Sequence, residues 1–108
     1  MENRDNLIIL YDYYGDLLNE DNKKYFEDYY FDNLSLAEIS ENSGISRNAI
    51  HKHIKSTESK LLFFEEKLRL NEKENKLKEL IESIKDDELR EKFEEIMWKM
   101  YNFVHFFN

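Results

Sequence analysis

The stretch Ser35-Leu36-Ala37-Glu38-Ile39-Ser40-Glu41-Asn42-Ser43-Gly44-Ile45-Ser46-Arg47-Asn48-Ala49-Ile50-His51-Lys52-His53-Ile54 decides the fold. Ser35 and Glu38 have the spacing of a capping box, in which the hydroxyl accepts from the backbone three residues on and the carboxylate reaches back. The helix so opened is short, burying Leu36 and Ile39, and it runs out at Asn42-Ser43-Gly44. Gly44 can take a positive φ without a Cβ clash, so the chain can turn there. Ile45 plugs the turn into the core, Ser46 caps a second helix, and Ile50 and Ile54 lie one turn apart on its buried face. A short capped helix, a glycine turn and a second capped helix make a helix-turn-helix.

Working outward, Leu7, Tyr11, Tyr14 and Leu18 step by four, three and four, which predicts an apolar stripe on a first helix. Asn19 is placed to cap the next helix, with Glu20 and Asp21 at the positive end of its dipole. Phe26, Tyr29, Tyr30 and Leu34 continue the apolar pattern, and Asp32-Asn33 is a stop because Asn tolerates a left-handed conformation. Beyond Ser59, Phe63, Leu70, Leu77 and Ile84 recur at heptad intervals, but Glu66 and Lys73 interrupt the partner positions. That predicts packing against the last helix rather than an isolated coiled coil. Asn71-Glu72-Lys73-Glu74 is a second capping-type signal, so the long helix is expected either to run through or to break near Asn71. Asp86 or Asp87 caps the last helix, whose broad apolar face carries Leu89, Phe93, Ile96, Met97, Met100, Val104 and Phe107.

The expected architecture is all-α: a sigma-region-4-like helix-turn-helix bundle over residues 1–60, followed by a helical arm over residues 61–108. The 108 residues hold 41% hydrophobic and 15% aromatic side chains, too many for a disordered acidic tail despite 37% charged residues. There is no cysteine, which removes disulfides, thiolate metal sites and a cysteine nucleophile. The start Met1-Glu2-Asn3-Arg4-Asp5-Asn6 lacks the basic and apolar blocks of a secretory signal, and no apolar run reaches the length of a membrane span. A soluble, cytoplasmic protein without membrane insertion is expected.

A net charge of −8 argues at first against a nucleic-acid partner. The charge is not evenly spread. Residues 1–44 carry three basic and eleven acidic side chains, and residues 61–108 carry nine and twelve. Residues 45–60 carry four basic and one acidic, so the only basic segment is the second helix of the helix-turn-helix. With Ile50 and Ile54 inward, Arg47, Asn48, His51, Lys52 and Lys55 face outward, a set able to contact bases and phosphates. B-DNA's major groove admits a helix, whereas the deep, narrow groove of A-form RNA does not.

Other chemistry finds little footing. His51 and His53, two apart on a helix, point to different faces and do not share a metal ion, although both stand where base-reading residues could sit. Carboxylates such as Glu74 and Glu88 fall four residues before Lys78 and Lys92, the spacing of solvated ion pairs. Phosphate-binding glycine loops, nucleophile elbows and zincin motifs do not occur, so no enzyme activity, cofactor or metal is expected. The segment around Trp98 is apolar nearly all round. Phe93, Met97, Trp98, Met100, Tyr101, Val104 and Phe107 are therefore the candidate interface, either for a homodimer or for a protein partner.

The run Leu10-Tyr11-Asp12-Tyr13-Tyr14-Gly15 with Leu17-Leu18, then Tyr29-Tyr30-Phe31-Asp32-Asn33-Leu34-Ser35-Leu36-Ala37-Glu38-Ile39, resembles the YlxM-like family. Gly44-Ile45-Ser46-Arg47-Asn48-Ala49-Ile50 and Ile54-Lys55-Ser56-Thr57-Glu58 extend the resemblance, which covers roughly residues 7–70. These are small bacterial proteins typically encoded beside the signal recognition particle GTPase, with a helix-turn-helix similar to the promoter-reading region of sigma factors. The resemblance implies an all-helical fold, a DNA-binding regulatory role, and a part in the signal recognition particle pathway. It also carries the recognition-helix role onto Ser46, Arg47, Asn48 and Lys55. One departure is that Ile50 and Ile54 are four apart, where sigma-like recognition helices space these positions by three. The alternative reading is an adaptor that binds the signal recognition particle protein or its RNA, with the helix-turn-helix as scaffold.

Overall fold

In a computed structural model, the backbone of residues 4–106 and the side chains of residues 4–99 are described. The described residues form six α-helices and no strand: α1 (Arg4–Tyr14), α2 (Glu20–Tyr30), α3 (Leu36–Ser43), α4 (Arg47–Leu68), α5 (Leu70–Glu82) and α6 (Asp87–Phe106). The all-α expectation holds.

The caps lie where local chemistry puts them. Asn19 accepts from the backbone of Asn22, Ser35 and Glu38 close the capping box, and Ser46 accepts from Ala49. Asp86 accepts from Leu89 at the start of α6. Gly44 has φ +77° with open space around it, and Asn33 turns the chain at φ +56°. The first helix is shorter than its apolar stripe predicts: it stops at Tyr14, a 3-10 turn Gly15–Leu17 follows, and Leu18 enters the core from beyond the helix. A side chain at Gly15 would press on the Tyr11 ring, since a Cβ there would lie 3.2 Å from it.

Helices α1 to α4 share one core. Ile39, Ile50 and Leu61 are fully buried, together with Phe26, which stacks between Tyr11 (centroids 4.6 Å) and Tyr30 (4.3 Å). Leu10 and Tyr25, outside the stripes read from the sequence, are buried too. Thr57 is the one buried polar side chain on the core face of α4, and it satisfies itself by donating to the carbonyl of His53 at 2.9 Å. Arg4 ties the start of α1 to the end of α2, donating to the carbonyls of Tyr29 and Tyr30 and to Asn33.

Helix α4 continues past residue 60 to Leu68 and carries Leu61 into the same core. The break comes at Arg69, in the left-handed region at φ +55°, two residues before Asn71. Its support is remote in sequence. Tyr14 donates to Glu65 Oε1 at 2.5 Å and accepts from Leu70 N at 3.1 Å, while Glu65 accepts from Asn71 N and Glu72 N at 3.2 Å each. A carboxylate thus meets the N–H groups at the positive end of α5. The Asn71 side chain accepts from Asn75 instead of capping. Helices α5 and α6 then form a hairpin that also touches α1, and the described chain is elongated at 57 × 24 × 20 Å.

Three tyrosine–glutamate bonds join the helices: Tyr11 to Glu27 (2.7 Å), Tyr14 to Glu65 and Tyr30 to Glu58 (2.5 Å each). Burial, and then the accepting carboxylate, push the Tyr14 phenol up to about 12 and those of Tyr11 and Tyr30 higher still. A tyrosine in the unfolded chain titrates near 10. The folded chain therefore keeps protons that the unfolded chain releases, so this stabilisation is whole below about pH 10 and is lost as pH rises through the folded values. Melting temperature is expected to fall above about pH 10. The fall should be shallower in Tyr14→Phe, and equal slopes in the two proteins would contradict the assignment.

Candidate nucleic-acid interface

The helix-turn-helix is α3, the turn at Gly44–Ser46, and the first half of α4. Besides Gly44, the turn is set by Ser40, which donates to the Ile45 carbonyl at 2.5 Å. Ile45 is half-buried against the core, as its position in the turn predicts. With the axis of α4 fixed by Ile50, Ile54, Thr57 and Leu61 on the inside, the opposite side is presented to solvent.

Arg47, Asn48, His51, Lys52 and Lys55 are all exposed. At 100° per residue they occupy an arc of about 140° on α4, clear of the buried side chains. The side chains of Arg47, Asn48, His51 and Lys52 make no hydrogen bond or ion pair with other described residues. Lys55 differs: its Nζ lies 3.3 Å from Glu58 Oε1, and the other oxygen of Glu58 accepts from Tyr30. The core thereby holds a carboxylate against one of the cations, a coupling that spacing alone does not reveal.

His53 leaves the set of candidate base readers. Its ring packs against Tyr25 at 5.1 Å, and its Nδ1 lies 2.8 Å from Oδ1 of the buried Asn22. An amide oxygen only accepts, so Nδ1 donates, and His53 pins α4 to α2. The helical angle that separates it from His51 is legible in the sequence, but the partner is not.

The first turns of α2, α3 and α6 carry acids, whereas that of α4 carries Arg47 and none. A cation at the positive end of a helix costs roughly 0.3–1 kcal/mol if nothing answers it. Electrostatically, the face combines unpaired cations with free backbone N–H groups, the arrangement that accepts anions.

A profile of the family described as "Putative helix-turn-helix protein, YlxM / p13 like" (UPF0122) matches residues 1–100. The chain belongs to this family. Similar relatives include a UPF0122 protein of Malacoplasma penetrans, 42% identical over 95 residues that cover 84% of this chain and 89% of the relative. The UPF0122 protein YlxM of Bacillus subtilis is 43% identical over 86 residues, 73% of this chain and 78% of its own length. A UPF0122 protein of Caldanaerobacter subterraneus is 42% identical over 80 residues, covering 74% and 68%. Membership in a helix-turn-helix family agrees with the α3–turn–α4 geometry of this UPF0122 chain.

The predicted interface divides in two. Phe93 is exposed beside Leu89 and Ile96 on α6, while Met97 and Trp98 line a groove against α5. Met100, Tyr101, Val104 and Phe107 lie outside the residues whose side chains are described. Among the described residues no helix is long and apolar enough to cross a membrane, and no group of three His, Cys, Asp or Glu is gathered as for a metal ion.

Proposed function

We propose that this protein is a non-enzymatic regulator that binds duplex DNA through the solvent face of α4. The observation that carries the reading is the gathering of Arg47, Asn48, His51, Lys52 and Lys55 on the outward side of the second helix of a helix-turn-helix, with Arg47 and Lys52 unpaired. Phosphates take the cations, and Asn48 and His51 stand toward the base edges. The family resemblance connects this role to the signal recognition particle pathway. Residues 1–60 act as the DNA-contacting unit and residues 61–108 as an arm. The division is one of function, since α4 runs unbroken across it.

The arm is assigned to a homodimer. Leu77 and Leu80 on α5 and Leu89, Phe93 and Ile96 on α6 are exposed. Pairing two such hairpins would present two recognition helices, which raises affinity for a duplex without adding contacts. The competing reading, an adaptor for the signal recognition particle protein or its RNA, draws on the acidic surroundings of α4 and predicts binding indifferent to the cations.

Fluorescence polarisation with a labelled duplex, titrated over a salt series, tests the assignment. Log affinity should fall against log salt with a slope of about −0.9 per phosphate neutralised. Arg47→Ala and Lys52→Ala should each weaken binding and reduce the slope by about 0.9, with Lys55→Ala doing less because Glu58 already holds it. Two chains per duplex are expected. Absence of binding at low salt, or binding untouched by both substitutions, would overturn the reading, and strong binding of the particle's protein or RNA instead would favour the adaptor.

A further inference from the structure

Between α5 and α6 lies a groove of about 380 Å³ whose apolar lining is Ile81, Met97 and Trp98. Among the described residues its charged lining is Glu74, Lys78, Glu82 and Glu94, and carboxylates outnumber the ammonium three to one. Lys78 stands 3.7 Å from Glu74, and Glu94 stands 3.7 Å from the Arg90 Nε. The rest of that guanidinium is occupied by Asp87 at 2.6 Å and the Ile84 carbonyl at 3.1 Å. Glu82 pairs with no other described residue.

Glu74, Lys78 and Glu82 follow one another at intervals of four, so the rim runs along the α5 axis for about 12 Å, two turns of a helix. Trp98 is 62% exposed, although a large aromatic side chain normally finds cover. A trough of this length with an apolar lining and an excess of carboxylates matches one class of ligand: a helix with apolar side chains at i, i+3 or i+4 and i+7, flanked by Lys and Arg. We propose that the α5–α6 groove docks a basic amphipathic helix of a protein partner. The local excess of carboxylates along the groove, within an arm of nine basic and twelve acidic side chains, favours a basic partner. The docking is separate from duplex binding by α4 and does not depend on it.

Trp98 is the sole tryptophan, so its emission reports the occupancy of the groove directly. The full chain is titrated with a synthetic tryptophan-free peptide of leucines at helical spacing and lysines elsewhere, and with its counterpart carrying glutamates for lysines. The lysine peptide should shift Trp98 emission to the blue with saturation, and the glutamate peptide should not. Glu82→Lys with Glu94→Lys should weaken the lysine peptide about tenfold. The charge-matched pair Glu20→Lys with Asp21→Lys, outside the groove, should weaken it far less. Circular dichroism of each variant confirms that the helices persist. Three results would each overturn the proposal: no shift, equal weakening by both variant pairs, or equal binding of both peptides. A blue shift that grows with protein concentration alone would assign the groove to a second copy, and would overturn it too.

Discussion

Phe26→Ala should remove about 3–5 kcal/mol of stability, a large fraction of what a domain of this size possesses. Phe26 is fully buried, with Tyr11 and Tyr30 on its two faces and Phe31 edge-on at 6.3 Å. Truncation empties the centre of this stack. The flanking rings cannot collapse into the space, because the Tyr11 hydroxyl is anchored on Glu27 and the Tyr30 hydroxyl on Glu58. The loss therefore combines apolar transfer, a residual cavity and three ring–ring contacts. Urea unfolding followed by circular dichroism measures it. Phe26→Leu, which keeps most of the volume, should cost less than half as much. If the two variants were equally stable, the stack would not be the centre of the core. The same variant bears on the proposed DNA-contacting face, since Tyr30 holds Glu58 and Glu58 holds Lys55.

Glu65→Ala should cost about 2–3 kcal/mol, although Glu65 is one of many carboxylates on a charged helix. Removing it leaves the Tyr14 hydroxyl proton and the Asn71 and Glu72 N–H groups without an acceptor, while Arg69 remains in a conformation that itself costs roughly 1–2 kcal/mol. Glu65→Gln keeps an acceptor but not the charge at the helix terminus, and should fall between the two proteins. Hydrogen exchange separates this effect from a general loosening. Protection should drop first at Leu70, Asn71 and Glu72, and only later at Ile50 and Ile54. Uniform loss across α4 and α5 would mean that the joint is not held by Glu65. By contrast Glu66, exposed on the same helix, should be replaceable by Ala within about 0.5 kcal/mol.

Much of the helix-turn-helix was legible because its determinants are local. A capping box needs only Ser35 and Glu38 three residues apart, the turn needs Gly44, and the inward face of α4 follows from Ile50 and Ile54 one turn apart. The outward placement of Arg47, Asn48, His51, Lys52 and Lys55 follows from the same periodicity. The arm was harder to read. Leu77 and Leu80 keep helical spacing yet stay exposed, and on α6 Met97 is half-buried while Leu89, Phe93, Ile96 and Trp98 are exposed. Periodicity locates an apolar face but says nothing of what lies opposite it.

By itself, then, the sequence determined the helices α2 and α3, the glycine turn, the start of α4 and the segment where positive charge gathers, all set by interactions within a turn or two of the chain. The tertiary structure decided the rest. It chose Arg69 as the break, with support from Tyr14, 55 residues earlier in the chain. It turned His53 onto Asn22, gave Lys55 a carboxylate held by Tyr30, and formed the acidic groove from two helices. Each depends on a polar atom finding its partner across the core, a distance in space that spacing along the chain does not encode.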